Sequence, residues 1–213
     1  MPSPVRLTSQ TKVKKVSSKP VRRKKTLPSI QIALNNQQRR VTIRERSLCR
    51  IAREVLALEK VSHAEIGIRI VTDRTMATLN RRWLGHDGTT DVVTFPLSDE
   101  SRHIGNVRVK STSRAAIGRS FFPQEEKPNA LLGDIVVSAD TADREALRLG
   151  CTTHEELAYY VVHGLLHLTG HDDHSLRDSR RMRRREAEVM VAVGLRSPLR
   201  DVIARRTRQG KTK

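Results

Sequence analysis

The segment from His163 to His174 concentrates side chains that bind transition metals. It reads HGLLHLTGHDDH, so four histidines and two aspartates fall within twelve residues. Residues four apart lie on one face of a helix, and His163 and His167 can therefore direct ring nitrogens at one ion. Imidazole nitrogens suit zinc, nickel, copper or iron better than calcium or magnesium. The spacing predicts a transition-metal site.

A third ligand can come from the residues that follow the histidine pair. The chain can turn back after Gly170, which brings Asp172, Asp173 or His174 within reach of the same ion. Zinc sites with three protein ligands leave one position for water, and the metal lowers the pKa of that water toward about 7. Hydrolysis is therefore the expected reaction class.

The simplest alternative to a metal site is a set of hydrogen-bonded core histidines. Burying so many polar side chains beside an otherwise apolar helix would cost several kcal/mol if they had no hydrogen-bond partners. A bound metal ion would supply such a partner. A metallopeptidase of the HExxH type is disfavoured for another reason. Those enzymes carry a Glu directly after the first histidine as general base, and this chain has Gly164 there.

The helix that carries the pair is predicted over 153–169 and ends at Gly170. Thr153 and Glu156 have the spacing of a capping box at its start. Leu157, Val161, Leu165 and Leu168 form one apolar stripe, and Val162 and Leu166 widen it, so most of the helix should be buried.

The other elements follow from apolar periodicity along the chain. Alternating or β-branched runs predict strands, and apolar residues at helical spacing predict helices. Asp73 is expected to cap the second helix, and Gly150 and Gly194 to end two others. The predicted strands are 65–71, 91–97 and 132–138, and the predicted helices are 47–58, 73–83, 139–149 and 178–193.

The charge distribution points to a polyanionic partner. Lys and Arg number 41 against 23 Asp and Glu, which gives a net charge of +18. The positive surface potential that this charge creates attracts nucleic acid. Residues 1–28 contain no acid and are expected to form a disordered arm that contacts RNA or a ribosomal surface, or else a passive extension. A transit peptide is the less favoured alternative. Residues 197–213 form a second basic tail, and 98–129 is expected to be an inserted loop of the domain at 29–196.

Cellular location follows from equally simple features. The two cysteines lack CxxC spacing, which fits a reducing compartment. No apolar run is long enough to span a membrane, and the first residues lack the apolar core of a secretory signal. We therefore expect a cytoplasmic protein without membrane contact.

Three motifs in order along the chain resemble the YbeY endoribonucleases. HGLLHLTGHDDH is similar to the family's HGxLHLxGYDH pattern. TDVVTFP, at 90–96, is similar to its TDVLSFP segment and follows an Asn-x-x-aromatic element, here Asn80 to Trp83. LGDIVVS, at 132–138, is similar to its LGDI strand. The resemblance runs from about residue 43 to residue 194, and the arm and the inserted loop lie outside it.

The resemblance implies both a fold and a function. The implied fold is α+β, with a small mixed β-sheet and a metal-bearing helix. The implied function is that of a single-strand-specific endoribonuclease that acts on ribosomal RNA of the small ribosomal subunit, in 16S rRNA 3′-end maturation and in ribosome quality control. One zinc ion per chain would be held by three histidines, here His163, His167 and His174, with no organic cofactor. No catalytic residue beyond these ligands is assigned.

This chain departs from the family's pattern at two places. The family separates its second and third histidines by five residues, whereas six separate His167 from His174, so Asp173 occupies the family's register. His174 is favoured, because imidazole is the family's ligand type and a turn absorbs one extra residue. The family also carries an Arg directly after the aromatic residue, where this chain has Leu84. Another basic residue, such as Arg81 or Arg82, would then have to stabilise the negative charge that develops on the phosphorane.

Two classes of function therefore remain open. The favoured one is hydrolysis of RNA phosphodiesters, by attack of an activated water or of the RNA 2′-OH. The alternative is a non-catalytic ribosome-assembly factor with a structural metal, which a saturated four-ligand site would favour. A metallopeptidase ranks third.

Overall fold

The computed structural model describes residues 28–85, 87–97 and 130–196. The arm predicted at 1–28 (except Pro28), the loop predicted at 98–129 and the tail predicted at 197–213 lie outside these ranges. In the described ranges no helix combines the length and the apolar character needed to cross a membrane. The elements there are β1 (Ser29–Asn36), α1 (Glu45–Leu58), β2 (His63–Val71), α2 (Asp73–Trp83), β3 (Val92–Pro96), β4 (Leu131–Ser138), α3 (Ala139–Leu149), α4 (Thr153–Leu168) and α5 (Leu176–Ala192).

The four strands form one mixed sheet in the order β1-β2-β4-β3. β1 and β4 run parallel to β2, whereas β3 runs antiparallel to β4. The predicted α+β class and small mixed sheet are confirmed. β1 was not predicted, although Ile30, Ile32 and Leu34 alternate along it. It is an edge strand without a fully buried residue. Its run of alternating apolar residues is short and directly follows the basic arm, which is why the sequence pattern did not reveal it.

The main core lies between the sheet, α1 and α4. Alternate residues of the central strands, such as Ile66 and Ile68 of β2 and Ile135 of β4, pack in one buried cluster with apolar residues of the helices. A smaller cluster contains Met76 of α2 and Phe95 of β3. The sheet therefore carries its principal apolar layer on the side that receives α4.

Helix α4 is the central helix of this core. Eleven of its sixteen residues are buried, which confirms the prediction of a largely buried helix. A Cβ atom built at Gly164 would lie 2.9 Å from Ile135 Cγ2 and 3.0 Å from Thr94 Oγ1. Since real Cβ contacts are longer, only glycine allows α4 to lie this close to β3 and β4. The close approach occurs at the helical turn that carries His163.

Two predicted helix caps are wrong by one residue. Thr152, rather than Thr153, caps α4, and it forms the capping box with Glu155. The sequence TTHEE offers the same spacing twice, so the pattern could not separate the two pairs, and Glu156 is instead buried. Similarly, Thr72 caps α2 in place of Asp73.

Candidate metal centre

Helix α4 brings His163 and His167 together on one face, as their spacing predicts. The two Nε2 atoms lie 3.0 Å apart. The ring centroids are 4.6 Å apart, and the rings meet edge to face at 83°. Both side chains remain about one-fifth exposed, so the Nε2 atoms meet at the border between the core and the solvent.

The Nδ1 atom of each ring is held by an acceptor. His163 Nδ1 lies 2.6 Å from Glu186 Oε1 on α5. The hydroxyl of Tyr159 donates to Glu186 Oε2 at 2.9 Å, which fixes the carboxylate from its other side. His167 Nδ1 lies 3.0 Å from the carbonyl oxygen of His171. A carboxylate behind a histidine is the usual outer partner of a metal ligand, because it fixes the tautomer and increases the basicity of the ring.

These contacts determine where the ring protons lie. A carboxylate and a carbonyl only accept hydrogen bonds, so both Nδ1 atoms carry protons and the two Nε2 atoms face each other. At this distance the two Nε2 atoms must share a cation, which is either a proton on one ring or a metal ion bound to both. Nitrogens bound to one tetrahedral zinc lie about 3.3 Å apart, given Zn–N bonds of about 2.0–2.1 Å. The observed separation therefore fits a metal-binding pair.

The electrostatic surroundings of His167 oppose its protonation. Burial lowers the pKa of His167, and the neighbouring His163 lowers it further, while Asp173 partly counters both effects. A ring that stays neutral keeps its lone pair available, which is the form that a metal requires.

The turn after Gly170 supplies the third candidate ligand. Asp173 Oδ1 lies 3.9 Å from His167 Nε2, and the ligand atoms of His163, His167 and Asp173 all lie within 4.8 Å of one another. This group could hold a metal ion. His174 belongs to a second group, with Asp172 and Asp173, in which the ligand atoms are equally close together.

The remaining histidine of the segment has a different partner. His171 Nε2 lies 3.0 Å from Glu59 Oε2, at the end of α1. Burial raises the pKa of Glu59, but hydrogen bonds from His171 and Arg185 outweigh this effect and keep that pKa below its usual value. His171 thus has a carboxylate partner of its own, and it belongs to neither group of candidate ligands.

Sequence reasoning missed the outer partners Glu186 and Tyr159. One signal was present, because Glu186 falls on the apolar stripe of α5 with Met182, Val189 and Met190. A glutamate on a buried stripe needs a partner of its own, since burying an unpaired charge is costly.

The Asn-x-x-aromatic element of α2 has a structural role. Asn80 is buried, and its Nδ2 donates to the carbonyl of Gly88, which holds the turn that leads into β3. Leu84 packs against the smaller core cluster. Arg81 pairs with Asp87 at 2.9 Å, and the Arg82 guanidinium lies 5.3 Å from the ring centroid of Trp83. Both proposed replacements for the family's Arg thus have partners on or near α2.

Comparison with known proteins places the chain in a family. The family model described as "Endoribonuclease YbeY" matches residues 33–194. Endoribonuclease YbeY of Anaeromyxobacter sp. (strain Fw109-5) is 42% identical over 132 residues, which cover 62% of this chain and 56% of that protein. Endoribonuclease YbeY of Desulforamulus reducens is 31% identical over 169 residues, covering 77% and 97%. The solution structure of TM1509 from Thermotoga maritima is similar with a TM-score of 0.45 and 20% identity, over 77% of this chain and 91% of that one. The chain thus spans about half the length of the first relative and nearly all of the second, and it belongs to the Endoribonuclease YbeY family.

Proposed function

We propose that this protein is a metal-dependent endoribonuclease that hydrolyses single-stranded RNA, with one zinc ion per chain. The observation that carries the proposal is the convergence of His163, His167 and Asp173 within 4.8 Å. The carboxylate of Glu186 holds His163 Nδ1 as the outer partner of a metal ligand does, and leaves Nε2 facing His167. The names of the relatives support the reaction class.

The third ligand is proposed to come from the turn after Gly170. His174 is our candidate, because imidazole is the ligand type of the resembling family. Asp173 is its competitor, since its carboxylate already lies beside the pair. The two residues are adjacent, so a small rotation of this exposed turn would exchange them.

The residues of this chain prepare the site for a phosphodiester. Glu186 and the His171 carbonyl hold the Nδ1 protons, which leaves both Nε2 lone pairs for the ion. A bound transition metal supplies Lewis acidity toward a phosphate oxygen and lowers the pKa of water. The net charge of +18 attracts a polyanion. Aromatic residues make up only 3% of the chain, which favours recognition through phosphates over base stacking.

The biological substrate is proposed to be ribosomal RNA of the small subunit. Maturation of the 16S rRNA 3′ end and ribosome quality control, in the cytoplasm, are the roles that the motif resemblance implies. The support lies in family membership and in the positive charge.

A non-catalytic assembly factor with a structural metal is the second candidate. Two observations favour it. Leu84 stands where the family has an Arg, and the exposed turn beside the histidine pair offers Asp172, Asp173 and His174 as further ligand side chains. A four-ligand site closed by such side chains leaves no position for water.

Cleavage assays distinguish these functions. The protein is incubated with single-stranded RNA that carries the 16S 3′ precursor sequence, and with a double-stranded counterpart. We expect discrete cuts in the single strand, lost with a chelator and restored by zinc, and resistance of the duplex. The control is His163→Ala protein purified identically. If that variant cuts as well as the parent, the activity comes from a contaminant and the assembly factor becomes the better assignment.

A further inference from the structure

The solvent side of α5 carries arginines at helical spacing. Positions i, i+3, i+4 and i+7 of one helix lie on a single face. The buried side of α5 serves the metal centre through Glu186, whereas the metal centre does not use this exposed face. The face, which we call the arginine stripe, consists of Arg177, Arg180, Arg181 and Arg184, all exposed.

The arginine stripe lines a groove of about 800 Å³. Arg185 and His171 also line it, and Glu188 is the acidic residue among the lining side chains. A concave surface with one predominant sign of charge concentrates the field and attracts ions of the opposite sign. The groove therefore suits an anion, and its length along two helical turns suits an extended one.

Three arginines of the stripe have no acidic partner among the described residues. Arg185 is already bound to Glu59 and Glu188, and Arg181 lies 3.8 Å from Asp178. In the described ranges, no carboxylate lies within ion-pair distance of Arg177, Arg180 or Arg184.

The arrangement also opposes the stability of α5. Like charges three and four residues apart repel each other. Positive charges in the first turns of a helix are further disfavoured by the helix dipole, and Arg177 stands in the first turn of α5. A polyanion bound along the stripe would relieve both effects.

The groove adjoins the turn that follows the metal-bearing helix. The His171 side chain lines the groove, while its carbonyl oxygen accepts the His167 Nδ1–H. One end of the groove therefore adjoins the turn between His171 and Leu176, which also carries Asp172 and Asp173. Among the described residues that line the groove there is no Phe, Tyr or Trp, so recognition there would use phosphates and not base stacking.

We propose that the arginine stripe binds the phosphate backbone of single-stranded RNA and guides the strand to the metal centre. The proposal rests on the proposed nuclease function, because it assigns the substrate path of that same site. An acidic protein is the other possible occupant of such a groove, but a basic groove beside the turn after the metal-bearing helix favours the substrate of that site.

The test replaces the three unpaired arginines by glutamine, which removes charge and keeps helix propensity. Affinity for a labelled oligouridylate is measured by anisotropy, with a chelator present to prevent cleavage, between about 50 and 200 mM salt. Each phosphate contact on a single strand contributes about 0.7 to the salt slope of binding, so three lost contacts should make it shallower by about 2. The full-length groove variant is Arg177→Gln with Arg180→Gln and Arg184→Gln.

A matched control removes the same charge from exposed positions of α1 and α2. These sites do not line the groove, and the start of α1 contacts the opposite end of α4, where Ser47 meets His154. We expect this variant to keep a salt slope within about half a unit of the parent. The full-length control variant is Arg46→Gln with Arg53→Gln and Arg74→Gln.

The outcomes separate the groove from the nuclease function. A shallower slope in the groove variant alone, with a thermal midpoint not lower than that of the parent, supports the assignment. A groove variant that binds RNA like the control overturns it, whether or not the parent cuts RNA.

If only the groove variant loses affinity but the parent fails to cut RNA with zinc supplied, the groove assignment stands and the nuclease function falls. If the triple variant unfolds, Arg180→Gln alone should still reduce the slope by about 0.7, and an unchanged slope overturns the proposal.

Discussion

Replacing Glu186 by Gln tests whether the metal centre depends on the carboxylate behind His163. Glu186 is 2% exposed, and its Oε1 lies 2.6 Å from His163 Nδ1, so the charge-assisted hydrogen bond between them is of the strong kind. Gln keeps the shape and removes the charge. His163 Nε2 then becomes less basic, and the ring loses its fixed orientation, since the amide must also satisfy Tyr159. Loss of such an outer partner costs about 10- to 100-fold in metal affinity, or about 1.4–2.7 kcal/mol.

Competition with a chromophoric zinc chelator measures this loss directly. Tyr159→Phe is the matched control, because it removes the hydroxyl that holds Glu186 Oε2 but leaves the carboxylate on His163. Its loss of zinc affinity should be several times smaller. The reasoning is refuted if Glu186→Gln binds zinc as tightly as the parent while metal-free unfolding is unchanged. A larger loss in Tyr159→Phe than in Glu186→Gln would contradict it as well.

Three further predictions concern the third ligand, the helix contact and a buried carboxylate. His174→Ala should lose more zinc by elemental analysis than Asp173→Ala, and equal or reversed losses would assign the ligand to Asp173. Gly164→Ala should lower the free energy of unfolding by about 1–2 kcal/mol, because overpacking against Ile135 outweighs the gain in helix propensity; a thermal midpoint at or above the parent's contradicts this. Burial raises the pKa of Asp73, but hydrogen bonds from neighbouring side chains outweigh it and leave the pKa below its usual value. Because the pKa of this carboxyl group is lower in the folded than in the unfolded protein, the ionised carboxylate stabilises the fold at pH values above its unfolded-state pKa. Asp73→Asn should therefore lower the free energy of unfolding by about 1–2 kcal/mol at neutral pH. Chemical denaturation should show this difference disappearing below about pH 4, and a constant difference would exclude the ionised carboxylate as its source.

The histidine pair could be predicted from sequence because a helix imposes its own geometry. His163 and His167 are four residues apart on a strongly apolar helix, so their common face follows without tertiary information. The third ligand could not be fixed in the same way. Asp172, Asp173 and His174 lie on a turn, where no period dictates which side chain faces the pair.

The outer partners show a different limit of sequence reasoning. Glu186 and His163 are 23 residues apart on separate helices, and their contact depends on how α5 packs against α4. Glu59 reaches His171 across an even longer separation. The buried stripe of α5 reveals that Glu186 needs a partner, but it does not name that partner.

The position of Gly164 also limits where the chemistry of the site can come from. A Cβ at this residue would meet Ile135 and Thr94, so position 164 faces the sheet and not the solvent side of the histidine pair. A glutamate there could not act as the general base of a metallopeptidase. Its side chain would collide with the sheet and would point away from the solvent side of the histidine pair. In the described ranges, Asp173 is the exposed acidic residue grouped with the two histidines, and Asp172 and His174 lie next to it. Under the proposed function, proton transfer would therefore fall to the turn after Gly170, and the same turn would have to divide its side chains between holding the ion and handling protons.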